Sequence, residues 1–273
     1  MEKRIFRIKE VDGCTDFQHV TLEIKEKLIL ILLFYIDEDH KGKFMISEAA
    51  QTRLQNVKKN SWYDDKIYKA HSIPIQSVDE IITQTEAILK KHENKNVFVH
   101  EMGVFSHAGS DGPISYGNLK ISNGKVIVYG PVKICPDKDY KCQMLMCGWE
   151  QIKVKWTNNA KCVFYGCNTA NENWGSFALN ISNLSNFKDV EIWGQSTSSF
   201  PSFYPDKRFT SVVRSVGENG IGWDIREKTY QVGGNEGEGA KALLSPIPVN
   251  PLNVYKNGTL IKSTHQGVFN DHR

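Results

Sequence analysis

The 273-residue sequence has no C-x-x-C pair, no dense basic block and no apolar run long enough to span a bilayer. Its longest apolar stretch, LILILLFYI at 28–36, falls well short of the roughly 20 residues that a membrane-crossing helix needs. That stretch follows Glu23 and Glu26, so it does not read as a signal peptide. The chain is therefore expected to carry no export signal of its own, either working in a cytosol or forming part of a longer exported protein. A formal net charge of +3, with lysines scattered along the chain, is too small to imply nucleic acid as a partner. Six cysteines (Cys14, Cys135, Cys142, Cys147, Cys162 and Cys167) are few for this length, which argues against the disulfide framework of small secreted domains. Cys135, Cys142 and Cys147 could ligate zinc together with Cys162, but they lack the tight knuckle spacing. Free, mostly buried thiols are the better reading, and neither a metal nor a cofactor is expected. What remains, 40% hydrophobic and 24% charged residues, is the composition of a globular protein able to bury a real core.

Along the chain, Asp37, Asp39, Gly42 and Glu48 occupy positions 1, 3, 6 and 12 of an EF-hand calcium loop. Lys41 stands where another oxygen ligand belongs, and no second loop is present. A turn closed by Gly42, followed by a helix from Ser47, fits better. Residues 1–65 are thus read as an N-terminal segment with a degenerate calcium-type loop, and 66–273 as the main domain. Within that domain, 66–75 alternates as a strand that Pro74 should end. Ser77 and Glu80 have capping-box spacing, and Val78, Ile81, Ile82, Thr85, Ile88 and Leu89 follow a helical period. A second strand, 96–105, comes next, so the unit is strand, helix, strand, which argues for a parallel pair. A hairpin is expected over 114–134, turning at Ser122-Asn123-Gly124. A short helix over 143–152 follows, then a strand at 161–166, a helix over 173–186 and a strand at 189–193. Beyond Ser211 the chain is rich in glycine and resists this reading.

Two of these strands end in residues that carry chemistry. One dissolves into Ser106-His107-Ala108-Gly109, and the other into Gly166-Cys167-Asn168-Thr169. Ligand sites in open α/β sheets lie outside the carboxyl ends of the strands, so matched strand ends would bring His107 and Cys167 to one edge. An imidazole beside a thiol favours the thiolate, as does a helix N-terminus, expected a few residues downstream of Cys167. Small residues around both would leave backbone N–H groups for an oxyanion. Taken singly, a cysteine at a strand end is usually a buried small hydrophobe, and a histidine after a strand is usually structural. The pairing raises catalysis above those readings.

The segments SHAGSDG at 106–112 and FYGCNTA at 164–170 resemble the caspase-like cysteine peptidases, the group that includes caspases, gingipains and self-processing toxin proteases. In that group one strand ends in His-Gly and a later one in Cys; here Ala108 intervenes between His107 and Gly109, so either backbone amide could serve the oxyanion. The stretches at 105–116, 164–170, 193–206 and 269–273 are also similar to the C-terminal toxin domains of Rhs-repeat polymorphic toxins. These resemblances imply a three-layer α/β caspase-like fold with a mostly parallel central sheet and an inserted hairpin. They imply a cysteine endopeptidase that acts on a protein substrate: His107 and Cys167 catalytic, Ala108 and Gly109 at the oxyanion, and Asp111, Trp193, Gln195 and Ser196 around the substrate pocket. They further imply an effector exported by a delivery apparatus, active in the target-cell cytoplasm and matched by a cognate immunity protein.

The rivals are a transferase or deamidase using the same Cys–His pair, and a non-enzymatic binding module on this fold. A nuclease is disfavoured, because no basic patch or dense His/Asp metal motif appears. In the pocket loop 193–200 no residue is charged, which favours a small or polar uncharged side chain before the scissile bond. Asp111 or Asp206 reaching in would favour a basic one, and an acidic one ranks last because no arginine closely flanks the motifs.

Overall fold

The computed structural model describes residues 2–7, 19–37, 44–115, 119–122, 125–128, 143–173, 175–209, 216–217, 220–221, 228–234 and 245–269. The elements that position the site are, in chain order, β1 (Lys27–Ile36), α1 (Met45–Lys59), β2 (Tyr68–Ile75), α2 (Glu80–Lys91), β3 (Asn96–Phe105), α3 (Met146–Trp149), β4 (Trp156–Phe164), α4 (Phe177–Ser182), β5 (Glu191–Gln195), β6 (Ser199–Ser202), β7 (Tyr230–Gly233), β8 (Leu252–Lys256) and β9 (Thr259–Thr264). Seven of the strands form one sheet in the order β9-β8-β5-β4-β3-β1-β2. The pairs from β5 through β2 are parallel, while β8 and β9 are antiparallel at one margin. The chain has a mixed α/β fold with a mostly parallel central sheet and helices on both faces.

The run at 28–36 becomes β1, and its place in the sheet explains its composition. Leu28, Leu30, Leu32, Phe34 and Ile36 face one core, which α2, α3 and α4 cover with Ile81, Ile82, Trp149, Phe177 and Ile181. Ile31 and Leu33 face the other, covered by Met45, Ile46, Ala49, Ala50 and Val57 of α1. A strand buried on both faces reads as a continuous apolar run rather than an alternating one. Since β1 lies between β3 and β2, residues on both sides of position 65 share one sheet. The expected strand–helix–strand unit β2-α2-β3 exists, but its strands are parallel neighbours of β1 and not of each other.

Local signals mostly hold, with instructive shifts. The Glu80 carboxylate accepts the Ser77 N–H at 3.0 Å, as a capping box requires. The Ser77 hydroxyl turns instead to Asp79, so only half of the box forms. Pro74 does not end its strand: β2 runs on to Ile75, because β2 is an edge strand where a missing N–H costs no ladder bond. α1 begins at Met45, ahead of Ser47, with Glu48 in its first turn and Lys58 and Lys59 in its last. The rest of the calcium-type loop, including Asp39, Lys41 and Gly42, lies outside the described residues. The inserted hairpin is present as Leu119–Ser122 paired with Lys125–Val128, and its turn lies outside the described residues. Among the described residues, no helix is long and apolar enough to cross a membrane.

A buried ion cluster ties α1 to the two strands that carry the motifs. Arg53 of α1 forms a two-point contact with Glu101 of β3, at 2.8 and 2.6 Å. Lys161 of β4, the register partner of Glu101, approaches the same carboxylate at 3.5 Å. Burial alone would push the Glu101 carboxyl up. The Arg53 and Lys161 charges together more than reverse that and hold it at about 2. The cluster pins β3 against β4 a few residues before both strands reach the site.

Candidate active site

β3 and β4 run parallel, with Phe164 opposite Val104, and the Tyr165 N–H donates to Val104 O at 3.0 Å. Past the strand ends the two segments stay close, with Gly166 packed against Ser106 and Ala108. Gly166 is what permits the approach. A Cβ at that position would overlap the Ala108 Cβ and stand 2.7 Å from Ser106 O and 3.2 Å from Ala108 N. The Phe105 and Tyr165 rings stack at 3.9 Å just before this point. His107 and Cys167, the two expected catalytic residues, each follow the end of one of two adjacent parallel strands, and each is half-buried.

The backbone on either side is held firmly. The Ile114 N–H donates to His107 O at 2.8 Å, closing a small hairpin in which Ala108–Gly109 pairs with Gly112–Pro113. Gly112 has φ +122°, and a Cβ there would lie 2.7 Å from the Phe177 ring, so the hairpin seats directly on α4. On the other strand, Asn168 takes the left-handed conformation (φ 57°) immediately after the cysteine. Its N–H donates to Thr197 O at 3.0 Å, and that of Ala170 to Gln195 O at 2.9 Å. The Gln195 N–H donates in return to Thr169 Oγ1 at 3.0 Å. Cys167 thus sits on a turn stitched to the loop that follows β5.

The sulfur itself meets Ser199. The Ser199 N–H donates to Cys167 Sγ at 3.2 Å, and the thiol can donate to Ser199 O at 3.5 Å. The Ser199 hydroxyl donates to Tyr165 O at 2.8 Å, which locks that residue in place. The Ser199 N–H is the backbone donor that reaches the sulfur. The helix expected close after Cys167 does not supply this donor: α4 starts only at Phe177, and its own cap is Ser176, whose Oγ accepts the Leu179 N–H at 3.1 Å.

The other expected site residues divide. Ala108 and Gly109 lie beside His107 and Gly166, within the site. Asp111 is exposed at the hairpin tip, and the absence of a side chain on Gly109 is what lets its carboxylate fold back. Ser196 donates its hydroxyl to Pro251 O at 2.6 Å. Gln195 is fully buried, its amide paired with Gln266. Trp193 is packed in the α1-side core, with the Lys262 ammonium 4.6 Å from its ring centroid and its indole N–H on Glu191.

Ser199 lies in the expected pocket loop 193–200, but its contact with the sulfur was not foreseen, and Gln266 was not picked out at all, since it has no motif and acts through distant partners. Arg208 was also missed: it is buried, with its guanidinium 3.6 Å from the centroid of Phe200, the residue after Ser199. Of the remaining described cysteines, Cys162 is a free thiol in the core, where burial pushes its pKa up. Cys147 is disulfide-bonded, so free thiols are not the rule throughout. No group of three potential metal ligands occurs among the described residues, and Cys135 and Cys142 lie outside them. No family model, curated protein or solved structure matches the chain.

Proposed function

We propose that the chain is a caspase-like cysteine endopeptidase in which Cys167 is the nucleophile and His107 carries the proton. The supporting observation is the close approach of two parallel strand ends, with glycine at position 166 bringing the Cys167 turn onto the Ser106–Ala108 backbone. Cys167 gives its proton to His107, and the sulfur attacks the peptide carbonyl carbon. The C–S bond forms as the carbonyl electrons move onto oxygen, where the amides of Ala108 or Gly109 and of Cys167 would receive the charge. Collapse breaks the C–N bond, and the leaving amine takes the proton from His107. Water then hydrolyses the thioester, releasing a carboxylate and restoring the thiol.

The resemblance to Rhs-type toxin domains supports placing this activity in a delivered effector that cuts a protein in the target-cell cytoplasm and is restrained by an immunity protein. The test is co-expression toxicity of wild type against Cys167→Ala and His107→Ala, followed by intact-mass analysis of proteins from intoxicated cells. Toxicity lost in both variants, with new protein fragments seen only for wild type, is the expected result. A mass change without chain cleavage would replace the peptidase with a transferase or deamidase, and toxicity surviving Cys167→Ala would overturn the enzyme altogether.

A further inference from the structure

We infer that Gln266, in the turn Gln266–Phe269 that follows β9, is a positioning residue for the Cys167 thiol; the inference rests on the nucleophile assignment above. Gln266 Nε2 donates to Gln195 Oε1 at 2.8 Å, and Gln195 Nε2 donates back to Gln266 Oε1 at 3.1 Å. The second hydrogen on Gln266 Nε2 goes to Asn250 O at 2.5 Å. Both side chains are buried, with Gln266 2% and Gln195 0% exposed. A reciprocal amide pair in such surroundings is costly to break on one side only, because the surviving Gln195 Oε1 loses its donor, while Gln195 Nε2 keeps a contact with Gln231 O at 3.4 Å.

The pair is joined to the sulfur by two routes. Through β5, the Gln195 backbone exchanges hydrogen bonds with Thr169 and Ala170 of the cysteine turn. Through β7, Gly233 makes the room: a Cβ there would stand 2.5 Å from Gln266 Nε2, 3.0 Å from Gln195 Oε1 and 3.2 Å from Thr197 Oγ1. Gly233 is also the register partner of Ser199, and the Gly234 N–H donates to Ser198 O at 2.9 Å. The segment that carries the Ser199 N–H onto Cys167 Sγ is therefore braced from behind by a residue far away in sequence. Gln266 does not touch the thiol. It fixes the loop whose N–H does.

The substitution Gln266→Glu separates positioning from packing, because it keeps the shape of the side chain and makes its donor depend on pH. When protonated, the new carboxylic acid can donate its one O–H to Gln195 Oε1 and accept from Gln195 Nε2, reproducing the pair while giving up the bond to Asn250 O. The carboxylate cannot donate, and it faces the Asn250 and Gln195 oxygens as a like partial charge. The experiment measures modification of Cys167 by a dipyridyl disulfide in the full chain, for wild type, Gln266→Glu and Gln266→Ala across acid to mildly alkaline pH. The Gln266→Glu rate, taken relative to wild type at each pH, should be near one in acid and fall about tenfold as the new carboxyl ionises, the loss expected for one hydrogen bond to a charged group. Gln266→Ala should be slow throughout, with no such pH step. A ratio independent of pH in Gln266→Glu, or wild-type reactivity in a folded Gln266→Ala, overturns the inference while leaving the nucleophile intact. A wild-type Cys167 no faster than Cys162 overturns both.

Discussion

Replacing Gly166 with alanine should both destabilise the fold and quench the thiol. The added methyl has nowhere to go. It would overlap the Ala108 Cβ and lie 2.7 Å from Ser106 O, and the second of these obstacles is backbone that cannot rotate away. Carbon atoms pack best at roughly 3.5–4.0 Å, so the ends of β3 and β4 must part by about 1 Å or more to accept it. The strands are pinned just before this point by the Phe105–Tyr165 stack and the Arg53–Glu101–Lys161 cluster, so the parting falls on the site itself. Overpacking of this kind costs about 3 kcal/mol at the upper end, roughly a hundredfold in the folding equilibrium. Urea unfolding would measure the stability loss, and alkylation of Cys167 well below the transition would measure the site in chains that remain folded. Ala108→Gly in the same background removes the methyl–methyl overlap but not the Ser106 contact, so it should restore only part of the stability. A Gly166→Ala protein with unchanged unfolding midpoint and unchanged Cys167 reactivity would refute the strand-end geometry on which the site depends.

Iodoacetamide at neutral pH should modify Cys167 well before Cys162, whose thiol is enclosed by the core and pushed up in pKa by burial; peptide mapping with both labelled equally would sink the nucleophile assignment. Glu101→Gln should destabilise by about 3–5 kcal/mol in chemical unfolding, because it strands the buried Arg53 charge. The Glu101 carboxyl is held at about 2, below the ordinary 4.5, so its contribution is complete above pH 4.5 and lost as pH falls toward 2. Acid titration of stability should show that loss in wild type and not in a double variant carrying Arg53→Met and Glu101→Leu. Gly258→Ala should cost about 1–3 kcal/mol, since position 258 has φ +76° and faces the Asn183 amide; an unchanged urea midpoint would contradict the turn geometry.

The features legible from sequence were those with short-range causes. The helical period of α2, the strand 96–105 and the two strand ends carrying His107 and Cys167 follow from local pattern, and the structure has all of them. Neighbour order does not follow from local pattern: nothing in 28–36 says that this run divides β2 from β3. The helix expected over 173–186 shrinks to 177–182, because Ser176 caps its start and a separate 3-10 turn at Ser185–Phe187 replaces its end. One signal was present and passed over. Asn257-Gly258 lies between two strands, and both residues have positive φ, which two-residue hairpins demand; treating the glycine-rich end as a block hid it. Ser199 and Gln266 had no local signature, because their roles exist only once β6, β7 and the final turn have assembled around β5.

The antiparallel margin of the sheet has a consequence for how the protein comes into being on the ribosome. Synthesis delivers β1 through β5 first, yet the free side of β5 stays open until β8 emerges and pairs Ile192 with Tyr255. β8 in turn closes against β9, which leaves the exit tunnel later still. Until then the Trp193 face has no Lys262 above it and the β5 ladder ends in unpaired amides. The nascent chain therefore holds its Cys167 strand end early but completes the wall behind it only once β9 and the Gln266 turn are out.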